Sequence, residues 1–170
     1  WVGTGEANSR NSSSWGNGVY RSLDGGSTWK HLGLEGTHAI ARLVTDPGDS
    51  NTVYVAALGR LWGESPERGV YVTRDGGASW ALSLKADART GACDLVMDPA
   101  NPQVLYAALH ARRRTPWSFT SGGTTGGIFK TMDGGRTWQK LTQGLPAGTG
   151  RIGLDVYRKD PRVIYAVVES

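Results

Sequence analysis

Cysteine is almost absent from this chain, since Cys93 is its single copy. A lone cysteine excludes an intrachain disulfide, and it excludes the metal sites that are built from Cys-x-x-Cys pairs. Long apolar runs are missing too, so the sequence predicts no membrane-spanning segment. The first residues, WVGTGE, contain neither an initiator methionine nor a signal peptide. We therefore expect the 170 residues to be part of a longer chain.

Several familiar catalytic signatures are missing as well. The sequence contains no His-Glu-x-x-His zinc motif, no Gly-x-Gly-x-x-Gly motif and no Walker-type phosphate loop. We therefore predict no metal and no cofactor, and we expect the three histidines to form hydrogen bonds within loops. The net charge of +4 comes mostly from scattered basic residues, so nucleic acid is not an expected partner.

Glycine and tryptophan, in contrast, are abundant, and they meet in one repeated octet. Its pattern is Ser/Thr-x-Asp-Gly-Gly-x-Ser/Thr-Trp, and it occurs as SLDGGSTW at 22–29, TRDGGASW at 73–80 and TMDGGRTW at 131–138. The copies recur at intervals of roughly 50 to 60 residues, which fits one β-propeller blade with variable loops. A repeat architecture is therefore the first expectation for this chain.

Short β-type runs surround every octet. GVYRS, GVYVT and GIFKT precede the three copies, and a second pair of apolar runs between the copies places Tyr54, Tyr106 and Tyr165 in register. Four such runs per repeat, separated by Gly, Pro, Asn and Asp turns, predict a four-stranded antiparallel meander. The predicted fold class is all-β, a partial β-propeller with about three blades' worth of strands.

The strands of each predicted blade are named A to D from the centre outward. Residues 1–32 would supply strands B to D of one blade, 38–84 and 91–141 two complete blades, and 150–168 strands A and B of another. This division gives 13 strands. Because a propeller needs about four blades or more to close, we expect this chain not to complete a ring alone.

The octet itself has the chemistry of a tight turn. Its glycine pair allows positive φ, its aspartate accepts backbone hydrogen bonds, and its tryptophan offers an apolar face to the next blade. Because the same octet recurs at every blade, we predict a structural rather than a catalytic role. The residues assigned to this role are Asp24, Trp29, Asp75, Trp80, Asp133 and Trp138.

The three octets resemble the Asp-box, or BNR repeat, found in sialidases, in xyloglucan-cleaving glycoside hydrolases and in sortilin (VPS10-type) propellers. The runs WVGTGEANSRNSSSWGNGVY and RIGLDVYRKDP further resemble large secreted bacterial proteins of VPS10-like or glycosyl-hydrolase-like type. This resemblance implies the propeller fold for nearly all of the chain. It does not imply one reaction, because that fold carries hydrolases, receptors and assembly factors.

Three long segments at the expected B–C connections carry the unusual side chains. They are loop one (EANSRNSSSWGN, from Glu6), loop two (GRLWGESPERG, from Gly59) and loop three (HARRRTPWSFTSGGTTG, from His110). Simple meander connections need two to five residues, and each of these segments combines tryptophan with arginine or carboxylates. We predict that they form one face that binds a glycan, a peptide or a small anionic ligand. The candidate ligand-binding residues are Arg10, Trp15, Arg60, Trp62, Arg68, Arg112, Arg113, Arg114 and Trp117.

The alternative hypothesis is a hydrolase. A glycosidase needs two facing carboxyl groups, and a promiscuous ester hydrolase would use histidine with or without a metal. The catalytic candidates on the loop face are Glu6, Glu67 and His110. Arg112 to Arg114 resemble the sialidase arginine triad in residue type only, because consecutive strand residues point to opposite faces.

Open propeller edges predict partners. We expect either further blades of a parent chain or a homo-oligomer, in which strands A and B of one copy complete the blade begun by C and D of another. Two copies would hold 26 strands, and a closed six-bladed ring needs 24, so a dimer leaves one surplus B strand per chain. The family resemblance implies a bacterial protein, either secreted or periplasmic, without a membrane partner.

Overall fold

The structure is a computed structural model that describes residues 1–8 and 12–170, and it folds this part of the chain into four antiparallel sheets. The first sheet contains β1 (Val2–Gly3), β2 (Val19–Arg21) and β3 (Lys30–His31). The second contains β4 (Ile40–Asp46), β5 (Asp49–Ala57), β6 (Gly69–Thr73) and β7 (Ala81–Leu84). A short 3₁₀ turn at Glu35–Thr37 joins these two sheets.

The third sheet is the largest. It contains β8 (Thr90–Met97), β9 (Leu105–Arg114), β10 (Phe119–Ser121), β11 (Gly127–Thr131) and β12 (Gln139–Leu141). The fourth sheet contains only β13 (Ile152–Val156) and β14 (Ile164–Val168). The described residues therefore confirm the predicted all-β class with antiparallel meanders.

The sheets are arranged around their first strands. Strand β4 packs against β8, and β8 packs against β13, while β1 of the shorter first sheet packs against β4. Within each sheet, later strands lie progressively farther from this inner row, as the order β4-β5-β6-β7 shows. Each sheet is therefore one blade of a partial propeller, and the chain supplies about three blades' worth of strands.

Alternation along the strands builds a core between each pair of neighbouring sheets. In β5, Val53 and Val55 pack toward the first sheet, whereas Tyr54 and Ala56 pack toward the third. A further cluster between the third and fourth sheets includes the buried Cys93, whose thiol lies 3.4 Å from the Ile152 carbonyl oxygen. Burial raises the pKa of that thiol, so Cys93 is a neutral core residue.

The extent of loop three differs from the expectation. Residues 110–114 do not leave the sheet but continue β9, and β10 pairs back onto them with Phe119 opposite Arg114. A tight turn closes this hairpin, since the Thr115 N–H donates to the Ser118 carbonyl at 2.8 Å. The described part of the chain thus has 14 strands rather than the 13 expected, and the added one is β10. The β9–β10 hairpin is called the arm below.

The octets close their hairpins by the same hydrogen bonds in all three sheets. In the second octet, Asp75 accepts from the Thr73 hydroxyl at 2.7 Å and from the Ser79 N–H at 2.9 Å. The Thr73 hydroxyl oxygen in turn accepts from the Gly77 N–H at 2.9 Å. Both octet glycines have positive φ, 72° at Gly76 and 90° at Gly77, which a residue with a Cβ adopts only with strain.

Two of the three octet tryptophans, Trp80 and Trp138, pack in the direction opposite to the one expected. Trp80 donates its indole N–H to the Leu32 carbonyl at 2.6 Å, and Trp138 donates to the Ser83 hydroxyl at 2.9 Å. Each ring therefore lies against the preceding blade and not the next one. The reason is the position of the octet at the rim, where its glycines contact the B and D strands of the blade before it.

Acidification is expected to destabilise the fold below about pH 4 through the octet carboxylates. Hydrogen bonds from octet hydroxyl and N–H groups hold the pKa of Asp24, Asp75 and Asp133 well below the ordinary value of 3.8. Such a group stabilises the fold above its unfolded pKa, and this stabilisation is lost as the pH falls through the lower folded value. Thermal unfolding of wild type and Asp75→Asn from pH 5 to about pH 2 tests this, because the variant should show the weaker acid dependence. Parallel pH profiles would contradict it.

Candidate functional site

The octets and the long loops lie at opposite ends of the strands. The octets sit beside the A–B turns, as the hydrogen bonds from Gly76 N–H to the Asn51 carbonyl and from Gly134 N–H to the Gln103 carbonyl show. The B–C connections are therefore at the other end, which we call the loop face. At that end, the Arg151 side chain donates to the Ala7 carbonyl at 3.0 Å and joins loop one to the fourth sheet.

Loops two and three form one joined structure on this face. The Arg114 N–H donates to the Leu61 carbonyl at 3.2 Å, and the Gly63 N–H donates to the Arg114 carbonyl at 3.3 Å. Trp62 and Arg114 thereby form a parallel bridge between the loop and the arm. This backbone pairing fixes the positions of the side chains on both segments.

The joined segments carry a stack of alternating arginines and aromatic rings. The guanidinium carbon of Arg114 lies 5.8 Å from the centre of the Trp62 ring and 5.4 Å from the centre of the Phe119 ring. The guanidinium carbon of Arg112 lies 5.4 Å from the centre of the same Phe119 ring. Trp62 is 40% exposed and Phe119 is 47% exposed, so part of each ring remains accessible. These four residues are called the arginine–aromatic patch.

Strand geometry divides the arginine triplet. Arg112 and Arg114 lie on the Phe119 side of β9, and Arg113, between them, points to the opposite side because strand neighbours alternate. Burial lowers the pKa of Arg112, and the positive charges of Arg151 and Arg114 lower it further, with Glu169 opposing them. The loop face therefore contains crowded like charges.

Arg68 has the most buried side chain among the ligand-binding candidates, with 1% exposed. Its guanidinium donates to the Arg60 carbonyl at 2.7 Å and to the Arg89 carbonyl at 3.2 Å. Burial lowers the pKa of Arg68 to about 10, so the group stays charged at neutral pH. This arrangement makes Arg68 the internal brace of loop two and places its guanidinium out of reach of a ligand.

The three catalytic candidates lie on separate elements, and each is bonded locally. The Glu6 carboxylate accepts from the Ser14 N–H at 3.1 Å, within loop one. The Glu67 carboxylate accepts from the Ser65 hydroxyl at 3.3 Å, within loop two.

His110 lies in β9 and is 3% exposed, with its Nε2 3.0 Å from the Ser121 hydroxyl oxygen in β10. Burial, together with the positive charges of Arg112 and Arg151, lowers the pKa of His110 to about 4. The ring is therefore neutral near pH 7.

The remaining ligand-binding candidates are scattered over the face. Arg10 lies outside the described residues. Trp15 is 66% exposed and makes an edge contact with the His38 ring at 5.0 Å. Arg60 donates to the Glu64 carbonyl within loop two at 2.7 Å. Trp117 stands at the tip of the arm and is 85% exposed.

The residue pattern did not reveal several charged groups at this end of the strands. Arg89, in the connection before β8, donates to the Glu64 carboxylate at 2.8 Å. Glu169 follows β14, and its carboxylate accepts from the Arg151 N–H at 2.8 Å. These residues are distant in sequence from the three long loops, so only the blade-to-blade contacts bring them to the face. The sequence signal that could have found them is their position. Arg89 lies in a D–A connection, and Glu169 lies at the end of a B strand.

Two cavities are relevant to the choice of site. The larger, of about 690 Å³, lies between the inner strands near the A–B turns, and its charged Arg42 is paired with Asp94 at 2.8 Å. The smaller, of about 280 Å³, opens at the base of the arm between Ser121, the glycine-rich 148–150 segment and Glu169. The larger cavity lies between the inner strands of neighbouring blades, at the end of the propeller axis that is nearer the octets. The smaller is lined by Ser121, which pairs with Arg112 of the patch in the neighbouring strand.

Within residues 1–8 and 12–170, no three His, Cys, Asp or Glu side chains converge in a way that would hold a metal ion. Nor does this part of the chain form a helix long and apolar enough to cross a bilayer.

Residues 17–164 match the Sortilin-Vps10 family, described as sortilin, neurotensin receptor 3. Among curated proteins, the photosystem II assembly lipoprotein Ycf48 of Picosynechococcus sp. is 26% identical over 143 residues. That alignment covers 71% of this chain and 42% of the relative. The chain thus spans less than half the length of this relative.

Solved structures of glycoside hydrolase family GH74 share the fold. An ancestral GH74 enzyme aligns with a TM-score of 0.68 and 22% identity, over 88% of this chain and 19% of the other. The GH74 xyloglucanase of Xanthomonas campestris aligns with a TM-score of 0.60 and 20% identity, over 88% of this chain and 23% of the other. Together with the family match, these similarities confirm the resemblance to Asp-box propellers and the partial-propeller fold.

Proposed function

We propose, given that this chain belongs to the Sortilin-Vps10 family, that it is a binding module whose loop face takes an anionic oligosaccharide at the arginine–aromatic patch. The observation that carries this proposal is the stacking of Arg114 between the Trp62 and Phe119 rings, at 5.8 and 5.4 Å. This geometry holds a cation and two aromatic faces at one exposed position. The aromatic faces suit sugar rings, and the guanidinium suits a carboxylate or sulfate.

The charge of the surrounding residues favours an anion. Arg68, Arg112, Arg114 and Arg151 influence one another or the nearby His110 electrostatically, with Glu169 as the opposing charge. A bound carboxylate or sulfate would relieve part of this repulsion. Arginine also binds such groups with two parallel hydrogen bonds, which adds geometric selectivity.

The backbone supports a preformed site. Arg114 and Phe119 face each other in a hairpin, and Trp62 is fixed against the same hairpin by two backbone hydrogen bonds. Arg68 braces the loop that carries Trp62 from inside. Side chains held in this way lose little conformational freedom when a ligand binds, which favours affinity.

The hydrolase hypothesis is the alternative that the binding experiment below also tests. Glu6, Glu67 and His110 are bonded within separate elements, an arrangement that offers no facing carboxyl pair for glycoside cleavage. The structural similarity to GH74 enzymes is a similarity of fold. A location outside the cytoplasm also remains a proposal, and the relative named as a lipoprotein is consistent with it.

Arg114→Ala is expected to weaken binding of a uronic-acid-bearing or sulfated oligosaccharide about tenfold or more, because it removes a charge-assisted contact and one layer of the stack. Arg162→Ala is the matched control, since Arg162 is an exposed arginine that pairs with Asp160 in the A–B turn of the fourth sheet, at the opposite end. A glycan array selects the ligand, and calorimetry of wild type and both variants measures the affinity.

Ionic strength and ligand charge provide the internal checks. Binding should weaken as salt rises, and the neutral counterpart of the same oligosaccharide should bind much less tightly. Equal affinity for charged and neutral glycans, or an equal loss in Arg162→Ala, would contradict the proposal. Preferential binding of acidic peptides would replace the glycan with a peptide ligand, and turnover of chromogenic glycosides or esters would favour the hydrolase.

A further inference from the structure

A carboxylate lies beside the arginine–aromatic patch, at Glu64 of loop two. The residue before it, Gly63, donates its N–H to the Arg114 carbonyl at 3.3 Å. The residue after it, Ser65, donates its N–H to a carbonyl of the connection before β8 at 2.9 Å. Because consecutive Cα atoms are only about 3.8 Å apart, these two bonds hold Glu64 close to both the arm and that connection.

The Glu64 side chain pairs with Arg89. The Nε of Arg89 donates to the Oε1 of Glu64 at 2.8 Å, and the two side chains are 57% and 50% exposed, so a ligand can reach the pair. The Arg89 carbonyl accepts from the Arg112 N–H at 2.9 Å and from the Arg68 guanidinium at 3.2 Å. The ion pair therefore lies between loop two and the strand that carries the arginines of the patch.

Stability does not account for this ion pair. An exposed pair of this kind contributes little to folding. Loop two is already held from inside by Arg68, and its backbone is fixed by the bonds of Gly63 and Ser65. The effect that the Glu64 side chain does have is electrostatic. It neutralises Arg89, and it places a half-exposed carboxylate next to a face on which arginines are crowded.

The patch and Glu64 act on a ligand in opposite ways. Arg114 attracts a carboxylate or a sulfate, whereas the Glu64 carboxylate repels one. A carboxylate accepts hydrogen bonds, so Glu64 suits the hydroxyl groups of a neutral sugar. The two adjoining positions therefore fit two sugars of different charge.

We propose that Glu64 sets the charge pattern of the ligand, an oligosaccharide that alternates anionic and neutral sugars rather than a continuous polyanion. This inference rests on the proposed binding of an anionic oligosaccharide at the patch. The anionic sugar binds Arg114 and stacks on the rings of Trp62 and Phe119. Its neutral neighbour donates hydroxyl groups to Glu64, and a charge on that neighbour is repelled. The selectivity is thus the difference between attraction at one sugar and repulsion at the next.

Unsulfated and fully sulfated chondroitin hexasaccharides test the proposal by calorimetry. Both alternate glucuronic acid with N-acetylgalactosamine, and sulfation adds a charge to each galactosamine. Attraction to an arginine-rich face alone would favour the more highly charged ligand. Wild type is instead expected to bind the unsulfated hexasaccharide at least as tightly as the sulfated one. Glu64→Gln is expected to raise the affinity for the sulfated ligand, relative to the unsulfated one, about tenfold, because the repelling charge is gone.

Two further variants separate this role from net charge and from loop structure. Glu35→Gln removes the same charge from an exposed glutamate of the 3₁₀ turn, where it pairs with His31 at 3.5 Å. It should leave the ratio of the two affinities at the wild-type value. Arg89→Gln leaves Glu64 without its cation, so the preference for the unsulfated ligand should increase. If the ion pair served only to position loop two, Glu64→Gln and Arg89→Gln would change the ratio in the same direction.

The Arg114→Ala variant distinguishes failure of this inference from failure of the proposed function. A wild-type preference for the sulfated hexasaccharide, or an affinity ratio that Glu64→Gln leaves unchanged, would overturn the role of Glu64. If Arg114→Ala still weakens both ligands in that case, the patch remains the binding site. If Arg114→Ala binds both ligands as wild type does, the patch itself is wrong.

Discussion

Trp138→Ala is expected to lower the free energy of unfolding by about 3 kcal/mol, which corresponds to about 6 to 12 °C in Tm for a chain of this size. Trp138 packs against the core cluster between the second and third sheets, and its indole N–H donates to the Ser83 hydroxyl. The substitution removes a large ring and leaves Ser83 without this donor. The neighbouring blades then lose one of the contacts that join them at the rim, beside the bond from the Ser83 hydroxyl to the Gly135 carbonyl.

Trp29→Ala is the matched control, because it makes the same change in the first octet. Within the described residues, Trp29 is 47% exposed, and its indole N–H donates to the Gly26 carbonyl of its own turn. For this exposed ring we expect a loss below about 1 kcal/mol. Urea or thermal unfolding followed by circular dichroism measures both variants.

Equal losses in the two tryptophan variants would contradict the directional stacking of octets on the preceding blade. They would show that the ring acts inside its own hairpin.

Local chemistry explains why the sequence predicted most of the fold. The octet contains all of its turn-forming groups within eight residues, so Thr73, Asp75 and Ser79 form the same bonds without help from distant segments. The alternating runs around Tyr54 likewise specify two faces, one for each neighbouring sheet. Because the octet and its flanking runs occur three times, three independent copies support the same prediction of a blade.

The same reasoning misjudged the features that depend on neighbouring blades. The prediction placed the octet tryptophans correctly at the rim but assigned their rings to the wrong neighbouring blade. The octet sequence does not specify which adjacent sheet its tryptophan ring contacts. The arm was expected to be part of a long loop because the segment from His110 lies at a B–C connection and combines tryptophan with arginine. Arg112 to Arg114 form a strand because β10 and the Leu61–Gly63 segment satisfy their backbone groups.

The sequence predicted which residue types form the candidate site, but it did not predict which of those residues come together. Trp62 and Arg114 stood out as an unusual pair of residue types in long loops, and the structure brings them together. Arg68 has the same composition signal, yet it is buried and braces loop two. Nothing in the sequence distinguishes an arginine that meets backbone carbonyls from one that meets solvent, since this depends on how the 59–68 and 85–90 segments pack.

Gly91→Ala is expected to destabilise the fold by about 3 kcal/mol and to weaken ligand binding at the patch. Gly91 is the second residue of β8 and pairs with His110, at the base of the arm. A methyl group at this position would overlap the carbonyl group of Leu58, which leads into loop two. Backbone groups in neighbouring strands cannot turn aside as a flexible side chain does, so the sheets must separate locally.

Gly153→Ala is the control for this substitution. Gly153 also lies in an inner strand, β13, but a methyl group there has no atom within 4 Å. We expect it to leave stability unchanged or to raise it by about 0.4 to 1 kcal/mol, because alanine restricts the unfolded chain. Urea unfolding and the oligosaccharide calorimetry described above measure both variants.

The comparison tests whether the loop face depends on the contact between the second and third sheets. Trp62 follows Leu58 in the chain, and Arg114 follows His110, so separating Leu58 from Gly91 moves the two halves of the patch apart. Binding should therefore fall in folded Gly91→Ala even at temperatures well below its Tm. If that variant binds as wild type does while its stability drops, the patch is held by the arm and loop two alone, through the Arg114 backbone bonds.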